Sequence, residues 1–344
     1  MSIFRTSLFA CALALTSVAC GDEKTEPPVD PVVTDDVTLE VPEANVGFQF
    51  TIPAFDIPVG AELQDCHFFE VPENPDRPGE ARFISRFHAR QNPGTHHMNV
   101  FRVKTRHDLY GAPGDIVKGD IPDSPCWKSS NWADWPIVVN SQESSVSGEI
   151  NWTLPEGVAQ RFEPGELLML QTHYVNATTQ VSDVGRGKVF VNFHEVEADK
   201  VVHEMGTMFT TNQNIRVCPG ERREYEKTCN FAREEPIHII GANGHFHSRG
   251  VRFTAYSYDA ATDTKGEMFY ESTRWDDPPM ARDFDLVVPA NGGISYTCEY
   301  EAPADSCGKE EDMCCFAFGP KVETSEHCNI FLYYWPKQAD FGCF

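Results

Sequence analysis

From about residue 41 onward the chain consists of short runs in which apolar and polar residues alternate with period two. The clearest are KVFVNFHEV (188–196), VRFTAYSY (251–258), ISYTCEY (294–300) and NIFLYYW (329–335). Successive side chains along a strand leave opposite faces, so this alternation predicts antiparallel β-structure. The runs are rich in Val, Phe and Tyr and are separated by Gly, Pro and Asp, which supports the same assignment. No long helical period, internal repeat or low-complexity tract interrupts them. The expected fold class is all-β: two antiparallel β-sandwiches with a boundary near residues 195–200, covering 41–196 and 197–344.

The start of the chain differs in kind. Residues 1–20 read as an export signal: Arg5 gives the positive start, LFACALALTSVA (8–19) the apolar stretch, and Ser17-Val18-Ala19 small residues for cleavage. The apolar stretch is short for a bilayer span. Cys20 follows directly and has the look of a bacterial lipoprotein junction, although Ser17 stands where such junctions usually carry Leu. Ordinary cleavage at the same bond is the alternative. Residues 21–40 are acidic and Pro-rich, which predicts a flexible tether. The expected location is therefore the cell envelope or surface after export, with the membrane touched only through a lipid on Cys20.

Cysteine usage agrees with export. Of twelve cysteines, Cys11 would leave with the signal and Cys20 would carry the lipid. The remaining ten are an even number in an exported chain, which suggests disulfides. No CxxC pair supports a zinc-thiolate site. The adjacent Cys314 and Cys315 should bond to different partners. A formal charge of −24 argues against nucleic acid as a partner.

Candidate chemistry lies in the histidines. In GANGHFHSRG (241–250), His245 and His247 are two residues apart, so on a strand they share a face and could hold one ion. A lone His-x-His is weak, and chance is the plain alternative. NPGTHHMNVFRV (92–103) places His96 and His97 side by side. A regular strand would point them to opposite faces, so both reach one metal only at a strand end or a bulge after Pro93-Gly94. LLMLQTHYVNAT (167–178) sets His173 in an apolar strand, where a satisfied core histidine is the usual case. ETSEHCNIFLYYWP (323–336) puts His327 beside Cys328 at the start of an aromatic strand.

Together these four segments resemble the copper type II, ascorbate-dependent monooxygenases, the group of peptidylglycine α-hydroxylating monooxygenase and dopamine β-monooxygenase. The ordered match is His96-His97-Met98, then Gln171-Thr172-His173-Tyr174, then His245-Phe246-His247-Ser248-Arg249-Gly250, then Glu326-His327-Cys328 leading to Tyr333-Tyr334. It spans the chain from about residue 45. The resemblance implies two jelly-roll-like sandwiches facing across a wet cleft, each holding one copper. His96, His97 and His173 would bind the electron-storing copper. His245 and His247, with His327 as third ligand, would hold the oxygen-activating copper and carry catalysis. Ascorbate or another one-electron reductant, dioxygen and a small organic substrate would be the reaction partners of a monomeric chain. Disulfides Cys66–Cys126 and Cys298–Cys328 are implied by the same resemblance. The other six cysteines would form three further bridges.

Three positions depart from the pattern. His327 stands where the family has methionine, and a third imidazole favours Cu(II) where a thioether favours Cu(I). Asn243 replaces the arginine that grips a peptide carboxylate. Phe331 replaces the carboxylate-binding tyrosine, while Asn329 matches a nearby polar position. Losing charge-assisted partners argues against a peptide-glycine substrate and leaves Asn243, Asn329 and Phe331 as candidate contacts for another one. His67, His88, His107, His194, His203 and His238 have no partner by spacing and read as surface or hydrogen-bonded core residues. Two alternatives to an enzyme remain open: a non-catalytic surface copper-binding protein that keeps the fold, and a structural or adhesive β-sandwich.

Overall fold

The computed structural model describes residues 37–92, 95–106, 108–128, 135–141, 148–176, 184–231, 235–308, 314–338 and 343. The expected signal, Cys20, most of the tether, Pro93-Gly94 and His107 lie outside them. In the first part of the chain the strands are β1 (Gly47–Ile57), β2 (Glu62–Glu70), β3 (Arg82–Gln91), β4 (Thr95–Arg102), β5 (Ile116–Val117), β6 (Ile137–Asn140), β7 (Glu149–Thr153), β8 (Val158–Phe162), β9 (Leu167–Val175) and β10 (Gly185–Glu195). There follow β11 (His203–Glu204), β12 (Gly206–Thr211), β13 (Arg216–Val217), β14 (Arg222–Asn230), β15 (Ile237–Phe246) and β16 (Gly250–Asp259). The last are β17 (Thr264–Ser272), β18 (Leu286–Val288), β19 (Gly292–Glu301), β20 (Phe316–Ala317) and β21 (Cys328–Trp335).

The protein is all-β, with two sandwiches. One sheet runs β1-β10-β3-β8-β11, with β7 on β3, and packs on a second that runs β5-β2-β9-β4-β6. Phe50, Val191 and Phe193 from the first meet Phe68, Val100 and Leu170 from the second in one core. The other sandwich pairs the sheet β12-β21-β15-β18 with β14-β19-β16-β17. Ile239, Ile330 and Leu332 there meet Phe253, Tyr296 and Cys298. Alternation explains most of this: on β10, Val189, Val191 and Phe193 are buried while their neighbours Lys188 and Phe190 are half-buried. β14 turns a charged, largely exposed face outward, as suits a sheet edge.

Strand β21 departs from that rule. Seven of its eight residues are buried, so it has no solvent face. Ile330, Leu332 and Tyr334 enter the second core, while Phe331 and Tyr333 point the other way into the first. Ile240, at a register shift in β15, joins them there. Gly241 beside it is needed for close approach, because a Cβ would lie 3.1 Å from the Trp152 ring. Trp152 and Tyr333 meet edge to face at 4.8 Å. The resemblance implies an open wet cleft between the sandwiches. Here these apolar side chains fill part of that space, because burying them in a shared layer removes them from water.

The last residues of the expected tether are tied down: Val37 N–H, Thr38 C=O, Leu39 C=O and Glu40 C=O bond to Asn92, Arg90, Gln49 and Asn192 respectively. Side chains of β1, β3 and β10, and Asn92 just past β3, bond to that backbone, so residues 37–40 belong to the fold. Disulfides join Cys66–Cys126, Cys218–Cys315, Cys229–Cys343, Cys298–Cys328 and Cys307–Cys314. Cys314 and Cys315 thus have different partners. Five bridges belong to an oxidising, extracytoplasmic setting. Among the described residues no helix is long and apolar enough to cross a membrane.

Candidate metal centre

The first three histidines come together on neighbouring strands. His97 on β4 lies directly opposite His173 on β9, and the register shifts between Thr95 and His97. That shift leaves His96 as the extra residue of a bulge, which turns two consecutive side chains toward one place. The His96, His97 and His173 rings lie 4.8–5.1 Å apart, centre to centre.

The second set forms where β15 ends and β21 begins. His245 is opposite Asn329 in the ladder and His247 follows just past the strand end. Glu326, fully buried, accepts hydrogen bonds from the backbone N–H groups of His247 and Arg249, each at 3.0 Å. Burial pushes its carboxyl up to about 8, against the pull of those donors and of the Arg249 charge. The Cys298–Cys328 bridge holds the residue after His327 to β19, and Tyr300 O–H donates to the His327 carbonyl at 2.5 Å. Gly250, the glycine of the His-x-His-x-x-Gly stretch, lies against the Phe246 ring, where a Cβ would come within 1.7 Å.

Both sets converge on a single cluster. The His96 ring is 5.2 Å from His245 and 6.0 Å from His247, and His97 is 5.5 Å from His245. Two groups of donor atoms lie within 4.8 Å of one another: His96, His97 and His173, and His96, His245 and His247. His96 is common to both. His327 adjoins the second group, its Nδ1 3.1 Å from His245 Nε2 and its ring 4.3 Å from that of His247. Two imidazole nitrogens bound to one tetrahedral ion at 2.0–2.1 Å would sit about 3.3 Å apart, so this spacing suits a shared ion.

On His97, His173 and His247 one ring nitrogen has a hydrogen-bond partner and the other has none. His97 Nε2 meets Gln171 Oε1 at 3.3 Å, His173 Nε2 meets Glu62 Oε1 at 2.8 Å, and His247 Nδ1 meets the Ser325 carbonyl at 3.0 Å. His97 Nδ1, His173 Nδ1, His247 Nε2 and His96 Nε2 are buried and unpartnered. Such partners fix tautomer and aim, leaving a lone pair on each ring for a metal. Burial pushes His96, His97, His245 and His247 well below the ordinary imidazole range, and neighbouring histidines add to it. His327 falls to about 3, again chiefly through burial. These five rings are therefore neutral donors at neutral pH, and imidazole nitrogen suits copper. Trp275 packs against His96 and Trp127 against His173.

The remaining candidate residues divide. Asn243 is not open to a ligand. Its Oδ1 accepts from Asn140 Nδ2 at 2.9 Å and its Nδ2 donates to the Pro278 and Pro279 carbonyls. Asn140 also bonds to Tyr333, so this amide ties the sandwiches together, and the expected substrate contact is replaced by a structural one. Phe331 lines a cavity of about 50 Å³ that ends on His97, His173, His247 and His327. Asn329, between His327 and Phe331, keeps a buried Oδ1 without a partner. Of the other histidines, His88 pairs with Glu149, His238 with Asp285, and His203 stacks on Trp335. His67 and His194 each keep an unpartnered Nε2. Glu62, which orients His173, escaped the sequence reading. No spacing pointed to it: what brings it there is the register of β2 on β9, in which Gln64, two residues on, faces His173.

No known protein family's sequence pattern matches this chain, and no curated protein matches it. Among solved structures, a recombinant N-glycanase F (PNGase F) is 8% identical, with a TM-score of 0.30 over 83% of this chain and 94% of that one. The major capsid protein P2 of bacteriophage PM2 is also 8% identical, with a TM-score of 0.26 over 86% and 100%. Infectious bursal disease virus VP2, as a subviral particle, gives 0.18 at 8% identity over 87% and 74%. Scores this low establish neither a shared fold nor a shared function.

Proposed function

We propose that this chain is a copper-dependent monooxygenase, related to the ascorbate-dependent type II group, that hydroxylates a C–H bond of a small organic substrate. The observation that carries the reading is the set of buried, unpartnered imidazole nitrogens on His96, His97, His173 and His247, three of them with the opposite nitrogen held. His245 and His327 complete the set of six. His96, His97 and His173 would hold one copper; His245, His247 and His327 would hold the other. Bound copper would supply one-electron chemistry and activation of dioxygen. In balance, the substrate C–H, one dioxygen, two electrons from ascorbate and two protons give C–OH and water. The chain's own contribution is to keep His96, His97, His245, His247 and His327 neutral, to aim rings through Gln171, Glu62 and the Ser325 carbonyl, and to cover the site with Trp127, Trp275 and Phe331. Export and attachment through a lipid on Cys20 complete the proposal.

A non-catalytic copper-binding role is the second reading, favoured by the third imidazole at His327 in place of a thioether. Elemental analysis and an oxygen electrode separate the two. Two coppers per chain with ascorbate-driven oxygen uptake are expected. Two coppers without uptake would leave the binding role, and a chain that takes up no copper would sink both.

A further inference from the structure

We infer that Asn99 and Gln171 form a recognition site for a neutral carboxamide, in the cavity that ends on the histidine cluster. Calling that ligand the substrate rests on the monooxygenase reading, whereas the binding site itself does not.

Asn99 on β4 and Gln171 on β9 are directly opposite in the ladder. Asn99 Nδ2 donates to Gln171 Oε1 at 3.2 Å, and His97 Nε2 meets the same oxygen at 3.3 Å. With the proton on His97 Nε2 and the Asn99 NH₂ toward it, the Gln171 oxygen accepts from both. What remains is one acceptor, Asn99 Oδ1, and one donor, Gln171 Nε2, both buried and unpartnered. A buried polar group without a partner is costly, and two such atoms on one hydrogen-bonded pair call for a ligand that satisfies both.

Both residues line the cavity of about 50 Å³, together with Phe101, Phe209 and Phe331. One water needs roughly 10–15 Å³ of such space, so the cavity takes a group of about four non-hydrogen atoms. A carboxamide with one attached carbon is that size and is flat enough to lie against a phenyl ring. One edge of it offers an N–H to Asn99 Oδ1 and a C=O to Gln171 Nε2. A carboxylate has no hydrogen to give and would face the Asn99 oxygen lone pairs. No lysine or arginine lines the cavity among the described residues to offset that charge. The walls thus select amide over acid, which accords with the missing anionic anchors at Asn243 and Phe331.

The isosteric pair acetamide and acetate tests this by saturation-transfer NMR, on the full chain both metal-free and loaded with diamagnetic Cu(I). Acetamide should saturate in the millimolar range, and acetate should bind at least tenfold more weakly. Asn99→Leu, which removes the acceptor at similar size, should lower acetamide binding at least tenfold with copper content unchanged. Equal binding of acetate, no acetamide binding up to about 100 mM, or unchanged selectivity in Asn99→Leu would overturn the site. If that variant does not fold, the wild-type amide-to-acid ratio decides alone. Acetamide binding by a chain that takes up no copper would keep the site and sink the monooxygenase. Copper uptake without acetamide binding would do the reverse.

Discussion

The histidines of the first sandwich stand on two adjacent strands of one sheet, whereas those of the second stand where one strand ends and another begins. The difference extends to what holds them. His97 and His173 are aimed by the side chains of Gln171 and Glu62. His247 is aimed by a backbone carbonyl, and its loop is held by the buried Glu326 and by the Cys298–Cys328 bridge beside it. A ladder of paired strands already fixes residues across it, so polar side chains suffice there. A strand terminus has no ladder beyond it, and the second set has the support of a disulfide and a buried carboxyl group instead.

The largest expected effect comes from His173→Ala. Elemental analysis should find one copper per chain in place of two, with the second group filled. Loss of both would show that His96, common to the two groups, makes them a single centre. Next is Cys298→Ser with Cys328→Ser. Opening a loop of 30 residues should cost about 3–4 kcal/mol in urea unfolding and empty the second group while the first keeps its ion.

Acid should add a further distinction, because the first sandwich holds one more buried imidazole away from the cluster. Burial pushes His67 down to about 4, opposed by Asp65 and aided by Lys118. Above an exposed imidazole's pKa of about 6.5 the ring is neutral in both folded and unfolded chain and has no effect. As pH falls from about 6.5 toward 4 only the unfolded chain takes the proton, so up to about 3 kcal/mol of stability is lost over that window and no more below it. Denaturant midpoints of copper-loaded protein at pH 7, 5 and 4 would show it, and His67→Gln should flatten the profile. The smallest effect is that of Glu62→Gln. Replacing the carboxylate behind His173 should weaken copper at the first group about 10–100-fold and leave the second alone, as read by competition with a chelator. An equal loss at both groups would erase the contrast between them.

The strands were legible because alternation is a local signal, and KVFVNFHEV and ISYTCEY lie within β10 and β19 to a residue or two. The six histidines were legible as pairs and neighbours within short segments. What spacing could not carry was the register between distant strands. That register makes His96 a bulge residue, brings Glu62 behind His173, and draws Asn243 into a bond with Asn140. NIFLYYW read as an alternating strand, yet both of its faces are buried, because the partner that covers the second face is about 180 residues away at Trp152.

That double-sided strand also bears on how the chain can be cut. A fragment ending near residue 205 would lose Ile240, Phe331 and Tyr333 from its interior, and a fragment beginning there would expose the same three to water. Neither piece could be produced as a soluble module, and neither could be exchanged independently in a chimera. A substitution at any position from 330 to 334 is answerable to one interior or the other, with none left free to drift.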